Sequence, residues 1–127
     1  MKAILLIALA GASAQPLPTQ FDLVCEGQFQ MGLKRPEAYS FRYVVDLERM
    51  QWCKNAEALT RCPMVHRLAR VDETRYTFRE SAPGEPQVSD YVDRQTGESF
   101  AFDRRLGIKE IGKCRQAEFS GFPAPKL

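Results

Sequence analysis

The chain has one histidine, His66, and this limits the catalytic chemistry that it can perform. Imidazole is the most common general base near neutral pH, so a Ser-His-Asp or Cys-His arrangement would have to use this residue. The neighbouring sequence contains no nucleophile-elbow motif. Alternation places His66 on the same strand face as Met64 and Leu68. The pattern therefore favours a core or edge histidine over a catalytic one.

Three carboxylates, Asp90, Asp93 and Asp103, lie on neighbouring strands of one predicted hairpin. Paired carboxylates about 5–10 Å apart can hydrolyse glycosidic bonds. Acidic residues at hairpin ends are, however, more typical of solvated turns. We recognise no catalytic constellation and predict a protein that is not an enzyme. A small hydrolase that uses these acidic residues is the alternative.

All four cysteines lie in the part of the chain that follows the export signal described below. An even number of cysteines in a small exported domain predicts two disulfides. We favour Cys53–Cys62, which closes a short loop, and Cys25–Cys114, which joins the first strand to the last. The alternative is a metal site formed by Cys53, Cys62 and His66. It lacks the Cys-x-x-Cys spacing of structural zinc sites, so we predict no metal and no cofactor.

Arginine residues are concentrated on two consecutive predicted strands. Guanidinium groups bind carboxylates and phosphates through paired hydrogen bonds, so these side chains are a candidate patch for an anionic partner such as a glycan or a lipid headgroup. The alternative is a solvated face whose charge is balanced by nearby carboxylates. The residues of the candidate patch are Arg67, Arg70, Arg75 and Arg79.

Composition and charge exclude several classes of protein. Hydrophobic residues make up 44% and charged residues 27% of the 127 residues, which is typical of one globular domain. The formal net charge is only +2, and we expect the aromatic residues to point inward. Both features argue against nucleic acid as a partner.

The N-terminus has the pattern of a secretory signal peptide. Lys2 precedes an apolar run, and Ala12-Ser13-Ala14 fits the small-x-small rule of signal peptidase. The run is shorter than the ~20 residues that span a bilayer, so we expect cleavage between Ala14 and Gln15 and no retained anchor. This divides the chain into a signal peptide, 1–14, and a single mature domain, 15–127, with an irregular tail from about 119. We therefore predict a periplasmic or secreted protein.

Hydrophobic residues in the mature chain alternate with polar ones, which is the pattern of half-buried strands. Short loops between them require antiparallel neighbours. Gly97 lies where a hairpin loop needs positive φ, and Gly112 predicts a bulge in the last strand. The fold prediction is all-β: a small antiparallel up-and-down barrel or flattened barrel of about seven to eight strands, with a two-sheet sandwich as the alternative. The predicted strands are 21–29, 39–47, 50–53, 64–71, 74–80, 88–93, 98–103 and 108–114.

Several segments resemble known exported proteins. Residues 21–27 (FDLVCEG), 93–97 (DRQTG) and 112–114 (GKC) are similar to a group of small uncharacterised exported proteins of Gram-negative bacteria. Cys25-Glu26-Gly27 also resembles the opening of the periplasmic inhibitors of c-type lysozyme, which are small disulfide-linked β-barrels. The Ser-Gly loop of that family has no match between strands, because Ser120-Gly121 lies in the tail. No inhibitory residue is carried over.

These observations predict an exported, binding or inhibitor-like protein. Its partner would be a protein or an anionic component of the cell envelope. A structural protein of the envelope is a further alternative.

Overall fold

The computed structural model describes residues 18–56, residue 62 and residues 64–122. The predicted signal peptide, the cleavage point between Ala14 and Gln15 and the last five residues, 123–127, lie outside the described residues. The described chain forms nine strands. They are β1 (Gln20–Met31), β2 (Glu37–Asp46), β3 (Gln51–Ala56), β4 (His66–Arg67), β5 (Arg70–Val71), β6 (Arg75–Glu80), β7 (Val88–Asp93), β8 (Glu98–Asp103) and β9 (Ile108–Ala117).

All nine strands belong to one antiparallel sheet with the order β4-β3-β2-β1-β9-β8-β7-β6-β5. The prediction of an all-β, antiparallel fold is confirmed, and the structure has one sheet rather than the two of a sandwich. The described residues contain no helix. Consequently none of them belongs to a helix with the length and apolar character needed to cross a membrane.

The segment 64–71, predicted as one strand, is two strands with different partners. β4 pairs with β3, and β5 pairs with β6. The change occurs between two consecutive residues: the Leu68 N–H donates to the Met50 carbonyl at 2.8 Å, and the Ala69 N–H donates to the Thr77 carbonyl at 3.1 Å. The predicted number of strands was therefore slightly low. The two ends of the curled sheet are also consecutive in the chain, because β4 and β5 are its outermost strands.

The inner face of the curled sheet holds the hydrophobic core. Tyr43 stacks on Phe78 with ring centroids 4.1 Å apart, and Trp52 lies 5.0 Å from the same Phe78 ring. These rings come from three strands, β2, β3 and β6, so the core joins both halves of the sheet. The buried residues of this core are Phe21, Leu23, Cys25, Phe41, Tyr43, Val45, Trp52, Leu68, Phe78, Val92 and Cys114.

Gly112 allows the Phe41 ring to lie against the inner face. Gly27 on β1 is directly opposite Gly112 on β9. A Cβ atom on Gly112 would lie only 3.1 Å from the Phe41 ring and 2.9 Å from the Glu26 carbonyl oxygen. The expected bulge at Gly112 was wrong, since the register there is continuous. The irregularity instead occurs in β6, between Thr77 and Arg79.

Two disulfides link the sheet, and they join the pairs favoured from the sequence. Cys25–Cys114 connects directly opposed residues of β1 and β9. Cys53–Cys62 lies on the outer face, in a second apolar cluster with Val44. Phe119 and Phe122 of the tail pack on that cluster. Within the described residues, 118–122 have no regular secondary structure, and Phe119 and Phe122 lie over Val44 of β2 and Cys53 of β3.

Candidate functional site

Four polar side chains meet inside the curled sheet, and we refer to Tyr43, Lys54, Asp90 and Glu110 as the interior network. The Tyr43 hydroxyl donates a hydrogen bond to Asp90 Oδ1 at 2.6 Å. Lys54 Nζ donates to Glu110 Oε1, also at 2.6 Å. Each contact joins residues far apart in the chain, β2 to β7 in one case and β3 to β9 in the other. The network therefore connects opposite walls of the sheet.

Strand register explains how these residues meet. Tyr43 and Lys54 are direct neighbours across β2 and β3. Asp90 and Glu110 lie on either side of Ala101, on the two strands that flank β8. Because the side chain of Ala101 is small, the two carboxylates can both extend toward the opposite wall.

Burial dominates the electrostatics of the network. Burial raises the pKa of Glu110 to about 7. It also raises the pKa of Asp90, although the Lys54 charge and the hydrogen bond from Tyr43 both favour a lower pKa for that carboxyl. Burial also lowers the pKa of Lys54 and raises that of Tyr43 well above its usual value. The Lys54 ammonium lies 2.6 Å from Glu110 and is the charged partner of that carboxylate when both groups are ionised.

Two further charged pairs lie near this network. Arg79 contacts Asp103 at 3.3 Å, and Arg105 contacts the other oxygen of Asp103 at 3.5 Å. Burial favours a higher pKa for Asp103. Hydrogen bonds from Arg105 and from the Leu106 backbone N–H outweigh this effect and hold the pKa of Asp103 below its usual value. The side chain of Arg79 remains 43% exposed, so this pair is open to solvent on one side.

The three candidate carboxylates, Asp90, Asp93 and Asp103, have separate hydrogen-bond partners and do not form a catalytic pair. Asp90 bonds to Tyr43, and Asp103 bonds to arginines and to its own turn. Asp93 accepts the backbone N–H groups of Gln95 and Thr96, which lower its pKa. Asp93 is therefore a turn residue, and the positive φ of Gly97 in the same hairpin is as the sequence predicted.

His66 is exposed on β4 rather than buried in the core. Its ring lies 5.0 Å from the Trp52 indole. The location agrees with an edge histidine and not with a core one. The alternative of a metal site with Cys53 and Cys62 is wrong, because these two cysteines are bonded to each other and neither can supply a thiolate.

The four predicted arginines do not form one patch. Arg67 and Arg79 line the same cleft, which has a volume of about 340 Å³. Arg70 pairs with Glu80 at 2.9 Å. The guanidinium of Arg75 lies 3.9 Å above the Tyr91 ring, at a separate place on the outer face.

The outer face of β6–β9 carries aromatic and aliphatic side chains in one row. Tyr91, Phe100 and Ile111 are direct neighbours across β7, β8 and β9. Tyr91 and Phe100 are half-buried, and Ile111 is 52% exposed. The expectation that the aromatic residues point inward is wrong for Tyr91 and Phe100, which alternate with buried inward residues. One of the two arguments against nucleic acid is thereby lost, and the near-neutral charge remains.

This row forms a shallow groove with charged residues at its borders. We call the residues Arg75, Tyr91, Phe100, Ile111 and Lys113 the Tyr91 groove. The groove has a volume of about 560 Å³, and the Tyr91 and Phe100 rings are 5.6 Å apart within it. The outward positions of β9 on either side of Ile111 are basic: they are Lys109, Lys113 and Arg115. The carboxylates at the borders are Asp93 and Glu98.

Sequence reasoning missed Lys54, Glu110 and the outward row, although part of the signal was available. Glu110 and Cys114 are four positions apart and therefore face the same side of a strand. Once Cys114 is bonded to the interior Cys25, Glu110 must be interior as well. The same argument places Lys54 on the side of Trp52. β8 contains no disulfide-bonded cysteine that would identify its inward face, and Phe100 there alternates with Ser99 and Ala101.

Comparison with known proteins finds no matching protein family, no matching curated protein and no matching solved structure.

Proposed function

We propose that this protein is an exported, non-enzymatic binding module that recognises a protein partner through the Tyr91 groove. The observation that carries the proposal is the stacking of the Arg75 guanidinium 3.9 Å above the Tyr91 ring, beside the half-exposed Ile111. Arg and Tyr are enriched at the centres of protein interfaces. Since Arg75 is already held on the ring, binding requires less ordering of these side chains.

The charges around the groove favour an acidic partner. Arg75 and Lys113 line the groove together with Asp93 and Glu98. The further outward charges of β9 are Lys109 and Arg115, and Glu26 lies directly opposite Lys113 on β1, which leaves an excess of one positive charge. Complementary charge increases the association rate and excludes competing partners.

The two disulfides support a periplasmic or secreted location, because such bonds persist in oxidising compartments. We further propose that the curled sheet is an up-and-down barrel closed by residues 66–71.

The interior network supports a structural role in this module. Tyr43 and Lys54 donate hydrogen bonds to Asp90 and Glu110, whose ionised forms burial alone would disfavour. The Asp90–Tyr43 contact is buried, and the Glu110 side chain is only 8% exposed. Their function in a binding module is to keep the walls of the sheet, and hence the groove, at fixed positions.

The test compares capture of partners from a periplasmic extract by three purified proteins. The groove variant R75A/I111S removes one basic and one exposed aliphatic side chain. The matched control R49A/M64S replaces one arginine by alanine and one exposed apolar side chain by serine at positions away from the groove. We expect the wild type and the control to retain the same partner and the groove variant to bind it at least about tenfold more weakly.

Other outcomes contradict the proposal. Equal capture by the groove variant would show that the surface lies elsewhere. No captured partner, together with unchanged lysis by c-type lysozyme in the presence of the protein, would argue against a binding or inhibitory role. Turnover of a glycan or ester substrate that is abolished in E110Q would indicate a hydrolase. Co-fractionation of all three proteins with peptidoglycan would indicate a structural envelope protein.

A further inference from the structure

Two turns at one end of the sheet lie side by side. The β1–β2 turn and the β8–β9 turn are joined by a hydrogen bond from the Gly32 N–H to the Gly107 carbonyl at 2.7 Å. Both glycines have positive φ, 57° and 65°. This end of the sheet is opposite to the β7–β8 hairpin that borders the Tyr91 groove, because β8 runs from one to the other. The two surfaces are therefore distinct.

Each of these turns exposes a leucine at its tip. Leu33 is fully exposed, with a relative accessibility of 105%, and Leu106 is 63% exposed. Met31, at the end of β1, is 41% exposed beside them. Both turns are ordered by internal hydrogen bonds, from the Lys34 N–H to the Met31 carbonyl and from the Leu106 N–H to Asp103 Oδ1. The leucines are thus held in water by well-defined turns.

Basic residues accompany both leucines. The first turn reads Leu33-Lys34-Arg35 and the second reads Arg104-Arg105-Leu106. Lys34, Arg35, Arg104 and Arg105 are all exposed. Of the nearby carboxylates, Asp103 is buried and turned toward Arg79 and Arg105, and Glu37 is exposed. The ends of the two turns therefore carry excess positive charge around apolar tips.

We propose that these two turns dock the protein on an anionic lipid bilayer. Leu33 and Leu106 would enter the interface between headgroups and acyl chains, while Lys34, Arg35 and Arg104 contact lipid phosphates. Basic residues near a membrane surface and inserted apolar side chains are the two contributions that bind a peripheral protein to lipid. A bilayer suits this surface better than a protein partner does, because two protruding leucines provide much less area than the roughly 800 Å² that each side of a stable protein interface contributes.

The test measures co-sedimentation of the full mature protein with two kinds of vesicle. One contains phosphatidylglycerol and phosphatidylethanolamine, and the other contains only phosphatidylcholine. We expect binding to the anionic vesicles that decreases with added salt. The variant L33S/L106S should bind about tenfold more weakly through loss of apolar burial. The variant K34Q/R35Q/R104Q should bind on the order of a hundredfold more weakly, at about fivefold for each charge.

The control variant is I111S/K113Q/R115Q, which changes exposed aliphatic and basic residues of the outer sheet face. It should bind the anionic vesicles like the wild type. Because it alters the Tyr91 groove, its behaviour also separates the membrane proposal from the proposed protein partner. Thermal unfolding of each variant verifies that it is folded.

Three results would overturn the membrane proposal. The first is no binding of the wild type to the anionic vesicles. The second is equal loss of binding in the control variant. The third is binding that is unaffected in L33S/L106S and lost only in K34Q/R35Q/R104Q, which would indicate a simple anion site or an acidic protein surface rather than a docking surface for lipid.

Discussion

The Tyr43 hydroxyl donates a 2.6 Å hydrogen bond to Asp90 across the interior of the sheet. Tyr43 is fully buried and Asp90 is 4% exposed, so water cannot replace this bond without entering the core. The pair joins β2 to β7, strands that belong to opposite walls and make no backbone pairing with each other. Together with Lys54–Glu110, it holds the two walls in one arrangement.

Replacing Tyr43 by Phe should destabilise the fold. The substitution removes the donor and leaves the buried Asp90 carboxylate unsatisfied, which costs about 1–3 kcal/mol of unfolding free energy. Urea denaturation of Y43F and wild type measures the difference. Y91F, which removes a hydroxyl from the outer face, is the control and should change stability by less than about 0.5 kcal/mol. Equal stability of Y43F and wild type would show that the hydrogen bond contributes nothing.

Glu110 should give the protein a pH-dependent stability. Because burial raises its pKa from 4.5 to about 7, the folded state binds a proton that the unfolded state releases between those pH values. The free energy of unfolding therefore decreases as pH rises from about 4.5 to about 7 and levels off above. At about 1.4 kcal/mol per pKa unit, a rise from 4.5 to about 7 corresponds to a loss of at most about 3.5 kcal/mol.

The variant E110Q isolates this contribution. Its stability should lack the decrease that the wild type shows over the same pH range, as measured by urea denaturation at a series of pH values. The exposed Glu98 gives the control variant E98Q, which should follow the wild type. Parallel pH profiles for E110Q and wild type would contradict the raised pKa.

The two disulfides should differ in their effect on stability. Cys25–Cys114 spans 89 positions and Cys53–Cys62 spans 9. If the bonds act by restricting the unfolded chain, the pairwise alanine variants should lose about 4.5 kcal/mol and about 2.5 kcal/mol respectively. Chemical denaturation of C25A/C114A and C53A/C62A tests this order. The opposite order would show that the packing of Phe119 and Phe122 on the shorter bridge matters more than chain entropy.

Gly27 should tolerate no side chain. An added Cβ would overlap the Ile111 carbonyl and lie 2.6 Å from the Cα of Gly112, so β1 and β9 would have to separate. We expect G27A to lose about 3 kcal/mol or more, as in severe overpacking. G84A is the matched control: its φ is 86°, but nothing lies within 4 Å of the new atom. It should lose only about 1 kcal/mol from backbone strain. Similar losses for both variants would rule out the close approach of the two strands.

Several features of the fold followed directly from local patterns. The alternation in residues 39–47 predicted β2 because period two places one face of a strand in the core. The loop around Gly97 predicted a hairpin because glycine adopts positive φ without strain, and its φ is 79°. The division of 64–71 into β4 and β5 was not predictable in this way, because it depends on a change of hydrogen-bond partner and not on a change of side-chain pattern.

The sequence by itself determined that the chain is a β protein with an even set of cysteines, since strand period and cysteine number are local properties. Only the tertiary structure decided which face of β8 is inward, because Ser99 and Asp103 are buried there while the more apolar Phe100 faces outward beside Ile111. It also decided which distant residues meet. Tyr43 reaches Asp90, and the turn that carries Leu33 bonds to the turn that carries Leu106, because of the register and the curl of the sheet, which arise from all strands packing together.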